Sequence, residues 1–188
     1  MSTLGHPGPG AVPLRGDEPP ETDGTGALAG QTVVLRPTEP RHVGEFLQIL
    51  QHPEVERWWA GYDLERVRRE LLGPHCYAVE AYRETVGLIM FHEEEDPDYR
   101  HAGIDVALHP DAHGQGLGAD AVRTLARHLF DVRGHHRIVI DPAATNERAI
   151  RSYERVGFRR VGVMREYERS PDGTWHDGLL MDLLPGDL

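Results

Sequence analysis

The chain has 188 residues, a length that suits one domain. Its formal net charge is −11, and because the first thirty residues hold only one Arg and four acidic residues, the remainder is acidic too. That balance excludes nucleic acid and anionic membrane as expected partners; it fits a cationic small molecule, and plain solubility is the simpler cause of most of it.

Hydrophobic content of 39% is enough for a core, and no apolar run is long enough to cross a bilayer. The N-terminus lacks the basic-then-apolar layout of a signal peptide. The single cysteine, Cys76, cannot form an intramolecular disulfide and suits a reducing, cytoplasmic setting. It reads as a buried strand residue and not a nucleophile. The twelve histidines show neither His-Glu-x-x-His nor paired-Cys spacing, so no metal is expected.

Residues 1 to about 30 are rich in Gly and Pro and read as a disordered or loosely draped tail ahead of one domain, 31–188. Thr32-Val33-Val34-Leu35-Arg36 is the first expected strand, ended by Pro37, with Thr38 as N-cap of a helix carrying Val43, Phe46, Leu47 and Leu50. A short helix follows from His52-Pro53 to Trp58-Trp59. Asp63 caps another through Leu64, Val67 and Leu71.

Cys76 to Tyr82 and Thr85 to Phe91 read as paired strands with a turn at Arg83-Glu84. After an acidic loop, His101 to Leu108 is a strand, and a helix runs on to about Asp131 with Val122, Leu125, Ala126 and Leu129 on one face. Arg137 to Ile140 is a short buried strand. Asn146 to Arg155 is a helix closed by Gly157 as a C′ glycine. Phe158–Tyr167 and Thr174–Leu183 are strands joined by a Ser170-Pro171-Asp172-Gly173 turn. The order of these elements predicts an α/β (α+β) fold, a mixed sheet flanked by helices.

His113-Gly114-Gln115-Gly116-Leu117-Gly118 lies between that strand and that helix. Glycines let the backbone fold closely round a ligand, and the free N–H groups of a first helical turn favour an anion such as a pyrophosphate. The spacing Gly-x-Gly-x-Gly is not the dinucleotide loop Gly-x-Gly-x-x-Gly, and the Lys-Ser/Thr of a P-loop is missing. A glycine turn that merely starts the helix is the plainer reading.

Other residues could carry chemistry. Asp105 alternates with Ile104 and Val106 and points away from them; it is either an exposed strand residue or a substrate ligand. Glu93, Glu94, Glu95, Asp96 and Asp98 put five carboxylates in six residues, a solvated face or a wall for a polyammonium ligand. Trp59 could offer such a ligand a flat surface or belong to the core. Asp141, at a strand end, is another possible amine ligand.

The glycine loop resembles the acyl-CoA loop of the GNAT N-acetyltransferases, Arg/Gln-x-x-Gly-x-Gly/Ala, with His113 departing at the first position. Asp141-Pro142 followed by Asn146 to Phe158 is similar to the second acyl-CoA motif of that superfamily. Trp58-Trp59-Ala60-Gly61 and Gly103-Ile104-Asp105 look like counterparts in aminoglycoside 6′-N-acetyltransferases. The resemblance implies the GNAT fold from about residue 31, a mostly antiparallel sheet splayed between its central strands. It implies acetyl-CoA as cofactor, held by residues 113–118, with Asn146 on the pantetheine arm and a backbone N–H near Ala107-Leu108 polarising the carbonyl. Tyr153 would donate a proton to the leaving thiolate, which a phenol of pKa about 10 can do at neutral pH; the bland alternative is a tyrosine packed under the sheet. Asp105 would be catalytic as well, fixing the cationic amine or passing its proton through water, and with Trp59, Glu93, Glu94, Glu95 and Asp141 it would hold a small cationic aminoglycoside. The implied activity is 6′-N-acetylation conferring antibiotic resistance, by a monomer or homodimer. Acetylation of another amine, such as a protein N-terminus or siderophore precursor, and a non-catalytic acyl-CoA-binding module remain open.

Overall fold

The computed structural model describes residues 26–170 and 172–188. Eight strands form one sheet: β1 (Leu28–Ala29), β2 (Val34–Pro37), β3 (Cys76–Ala81), β4 (Glu84–Glu94), β5 (His101–Leu108), β6 (Ile138–Ile140), β7 (Arg159–Arg169) and β8 (Trp175–Leu183). Their order across the sheet is β1-β2-β3-β4-β5-β6-β8-β7. Every pairing is antiparallel except β5 with β6. Among the described residues five α-helices cover it: α1 (His42–Leu50), α2 (Pro53–Glu56), α3 (Leu64–Glu70), α4 (Leu117–Asp131) and α5 (Glu147–Val156). Among the described residues no helix is long and apolar enough to cross a membrane.

The strands alternate their side chains between two cores. One face packs Ile89, Phe91, Ile104 and Ile140 against Leu117, Val122, Leu125 and Leu129 of α4 and Ile150 and Tyr153 of α5. The other packs Ala78, Leu88 and Ala107 against Val43, Phe46, Leu50, Val55, Val67 and Leu71 of α1 to α3. Residues one apart on β4 or β5 therefore belong to opposite sides of the molecule.

Most of residues 1–30, the expected tail, lies outside the described residues. Its last residues belong to the fold: Leu28 pairs with Leu35 and is buried. Asp120, in the first turn of α4, fixes this corner. Its carboxylate accepts from the amides of Gln31, Thr32 and Val33 at 3.1, 2.7 and 3.1 Å and from the Thr32 hydroxyl at 2.8 Å.

Three local expectations shift. Thr38 does not cap α1, whose N-cap is Arg41 without a side-chain bond; its hydroxyl instead accepts from the Gly73 amide at 3.1 Å. Asp63 does cap α3, accepting from the Arg66 amide at 2.7 Å. The β3–β4 turn is Tyr82-Arg83, one residue early, with φ of 55° and 70°. Two left-handed central residues give the turn whose twist matches paired strands, even without glycine.

Candidate active site

β5 and β6 run together only across Ala102↔Ile138 and Gly103↔Val139, then part. The Ala102 amide donates toward β6, to the Arg137 carbonyl at 3.1 Å, while the His109 amide donates toward β4, to the Val86 carbonyl at 2.8 Å. Backbone groups alternate along a strand, so the amides of Val106 and Leu108 face the gap. That of Ala107 faces β4, and its methyl is buried in the core under α1 to α3. Of the expected pair, Leu108 alone turns its backbone to the opening.

The glycine loop closes one end of this gap. Gly114 and Gly116 have φ of 76° and 81°, a conformation that disfavours any Cβ. A Cβ at either would meet nothing within 4 Å, so the loop's outer side is open. No side chain caps α4, which leaves its first amides for a ligand. These features fit an anion of pyrophosphate type. The His113 ring turns inward, its Nε2 bonded to the Leu108 carbonyl at 3.1 Å. Burial, and then Arg148, lowers its pKa, so the loop's contribution is backbone amides rather than an imidazolium. Gln115 bonds the Asp111 carbonyl at 2.7 Å, and the Leu117 side chain is buried.

Beyond the gap the carboxylates gather. Asp105 on β5 and Asp141, just past β6, both push up the pKa of Tyr153, after the larger effect of burial. Tyr153 comes from α5 on one sheet face and Asp105 from the other, and the parted strands let their fields meet. Asp141 beside it, together with burial, raises the Tyr167 phenol to about 12. Glu168 is raised as well, first by burial, then by Asp141, with a further push from Asp105. Asp105, Asp141 and Glu168 thus act on one slot beside the gap, and a cation entering it would offset their combined charge.

The loop carrying Asp141 is pinned to β8: the Leu179 amide donates to Pro142 and the Ala144 amide to Asp177, both at 2.8 Å. Aromatic groups edge the slot. Tyr62 senses Asp105, and Trp59 packs beside it with ring centroids 5.9 Å apart, half-buried against the α1–α3 core. Asn146 caps α5, accepting from the Ala149 amide at 3.2 Å.

The acidic run divides. Glu93 faces α4, not Asp105. It bonds Arg133, with Nε to Oε1 at 3.0 Å, and His135 at 2.6 Å. A surface depression of about 470 Å³ there is lined by Glu93 and Glu95 with Arg133 and His135. Strand alternation and its bonds to Arg133 and His135 therefore set Glu93 on the other side of the sheet from Asp105, and Glu95 lines the same depression, so neither joins the expected substrate wall. Glu94 keeps Asp105's face, with Oε1 accepting from the Asp96 amide at 3.0 Å. Cys76 is buried, which pushes its thiol up to about 12 and removes it from nucleophilic chemistry.

Tyr62, His92, Tyr167 and Glu168 escaped the sequence reading. His92 was readable only from the β4–β5 register, which pairs it with Gly103. Tyr167 and Glu168 lie at a register shift in β7, where Glu166 has φ of 50°. A bulge breaks the alternation by which their direction could have been counted.

Residues 32–159 match the acetyltransferase (GNAT) domain family model. The chain is 28% identical over 169 residues to aminoglycoside N(6′)-acetyltransferase type 1 of Klebsiella pneumoniae, covering 77% of this chain and 81% of that one. It is 43% identical over 82 residues to a kanamycin resistance protein of Rhizobium radiobacter, covering 43% of this chain and 70% of that one. The solved structure of the aminoglycoside acetyltransferase AAC(6′)-Ib with coenzyme A and kanamycin superposes with a TM-score of 0.70 at 26% identity, covering 83% of this chain and 96% of that one. The parted strands, the open glycine loop and a family match over residues 32–159 place this chain among the GNAT acetyltransferases, with acetyl-CoA as its cofactor.

Proposed function

We propose that this enzyme acetylates an amine of an aminoglycoside antibiotic, the 6′-amine foremost, and so protects a cell from the drug. The carrying observation is the slot where Asp105, Asp141 and Glu168 converge beside the gap between β5 and β6. A multiply cationic sugar suits three carboxylates edged by Tyr62, Trp59 and Tyr167, since ammonium groups meet the acids and sugar faces meet the rings. The resemblance to the Klebsiella enzyme supports the same reading.

The residues divide the work. When bound, acetyl-CoA supplies an activated acetyl thioester. The amides of the 113–118 loop hold its pyrophosphate, and Asn146, already fixed as a cap, borders its arm. The Leu108 amide, aimed into the gap, polarises the carbonyl that the amine attacks. Asp105 and Asp141 orient the ammonium-bearing sugar. Tyr153, kept protonated by burial, gives its proton to the departing sulfur. The reducing interior of the cell suits the buried thiol of Cys76.

Thiol release from acetyl-CoA tests this reading against a panel of kanamycin, an N-terminal peptide, lysine and spermidine. Kanamycin should give the highest kcat/KM. Faster release with the peptide or lysine would replace the aminoglycoside with another amine, and no release with any of them would leave a binding module.

A further inference from the structure

His92 and Asp105 form a pair on the substrate side of the sheet. β4 and β5 are in register with His92 opposite Gly103 and Met90 opposite Asp105, so His92 and Asp105 share one face. The imidazole lies across Gly103: a Cβ built there would stand 2.1 Å from Cε1 and 2.2 Å from Nε2 of the ring. Gly103 thus makes the room that brings this ring to the aspartate. His92 Nδ1 is 3.8 Å from Asp105 Oδ2, a distance of charge attraction rather than a hydrogen bond. The His92 side chain is 61% exposed, so the ring is accessible to a ligand from solvent.

We propose that His92 is the base that takes the proton from the ammonium group of the incoming substrate, with Asp105 stabilising the imidazolium that forms. This rests on the amine acetylation proposed above and adds to it the group that makes the amine a nucleophile. Acetyl transfer needs a neutral amine, and an imidazole matches an ammonium proton better than a carboxylate does. With Nδ1 turned to Asp105, Nε2 is the nitrogen left to accept. The ammonium N–H bond breaks, and its electron pair stays on nitrogen as the lone pair that attacks the thioester carbon. The proton becomes the Nε2–H of the imidazolium. Tyr153 protonates the departing sulfur and is restored, through solvent, by the second proton that the nitrogen loses as the amide forms. His92 returns its proton to solvent, the one proton the overall reaction releases.

The groups facing His92 favour this role. Asp105 beside it raises its pKa, burial opposes, and Asp141 adds to the rise from beyond β6. Tyr167 and Glu168 of β7 and Tyr62 of the helical layer surround the same two acids. A raised pKa makes His92 a stronger base, and the neutral form that can accept a proton grows as pH rises through that value.

Two measurements decide the matter. The first is the pH profile of kcat/KM for kanamycin, from about pH 5 to 9, in the full chain and in His92→Gln. His92→Gln should lower kcat/KM by about 10²- to 10⁴-fold and abolish the rising acid limb, with acetyl-CoA affinity unchanged by calorimetry. The second is an NMR titration of the His92 ring, which should fall to lower pH in Asp105→Asn. An acid limb that survives His92→Gln overturns the proposal. So does a ring that titrates at the same pH with and without the Asp105 carboxylate, a result read whether or not kanamycin is a substrate. Failure of the wild-type chain to acetylate kanamycin would strike the aminoglycoside reading instead.

Discussion

The ring of Tyr167 lies against Gly178: a Cβ built on Gly178 would stand 2.8 Å from Tyr167 Cδ1 and 3.2 Å from Met164 Cε. The glycine lets the bulged strand β7 lay its tyrosine over β8, near enough to Asp141 for the two groups to interact. Gly178→Ala should displace the ring and take the phenol away from the Asp141 carboxylate. We expect kcat/KM for kanamycin to fall roughly 3- to 10-fold, the worth of one polar contact, with acetyl-CoA affinity intact. Steady-state kinetics with calorimetry checks this, and an unchanged kcat/KM would remove Tyr167 from the substrate slot.

Asp105→Asn keeps shape and removes charge. A charge-assisted bond is worth about 1.5–3 kcal/mol, so kcat/KM for kanamycin should drop roughly 10- to 150-fold. Acetyl-CoA affinity should hold, since the expected pyrophosphate contacts are backbone amides. Equal loss of cofactor binding would make Asp105 a structural residue.

Gly116 separates backbone strain from charge. Its φ of 81° penalises any Cβ, yet the space beyond is open. Gly116→Ala should therefore cost only about 1 kcal/mol of stability. Gly116→Asp adds a carboxylate beside the expected pyrophosphate and should weaken acetyl-CoA binding by about tenfold or more beyond the alanine variant. Calorimetric titration of both variants would expose a misplaced site if they bind alike.

Glu93 should matter to stability and not to turnover. Arg133 beside it, with help from His135, outweighs burial and holds its pKa at about 2. A depressed carboxyl stabilises the fold fully above its unfolded value of about 4.5 and loses that contribution as pH falls toward 2. Glu93→Gln should lower the unfolding free energy at neutral pH by about 1–3 kcal/mol and flatten its acid dependence between those values. Denaturant melts across this range test the effect. A fall in kcat/KM without loss of stability would return Glu93 to the substrate wall.

The sequence by itself determined most of the order of elements and the open glycine loop at residues 113–118, the proposed cofactor end of the site. Local rules suffice there: a strand, two glycines needing left-handed backbone and an uncapped helix start are contiguous, so residues 113–118 are legible without knowing what packs where. Asp63 as a helix cap and the alternation around Asp105 are local in the same sense. The substrate end was decided by tertiary structure. Whether Glu93 or Glu94 faces Asp105 depends on how far β4 extends as regular strand, which moves the acidic run out of a loop and splits it between two faces. His92 reaches Asp105 only through a cross-strand register that places Gly103 beneath its ring. Tyr167 and Glu168 depend on a bulge in β7 and on the Asp141 loop pinned against β8. These are contacts between segments distant in sequence, and a period-2 pattern carries no information about register or about a residue that breaks the period.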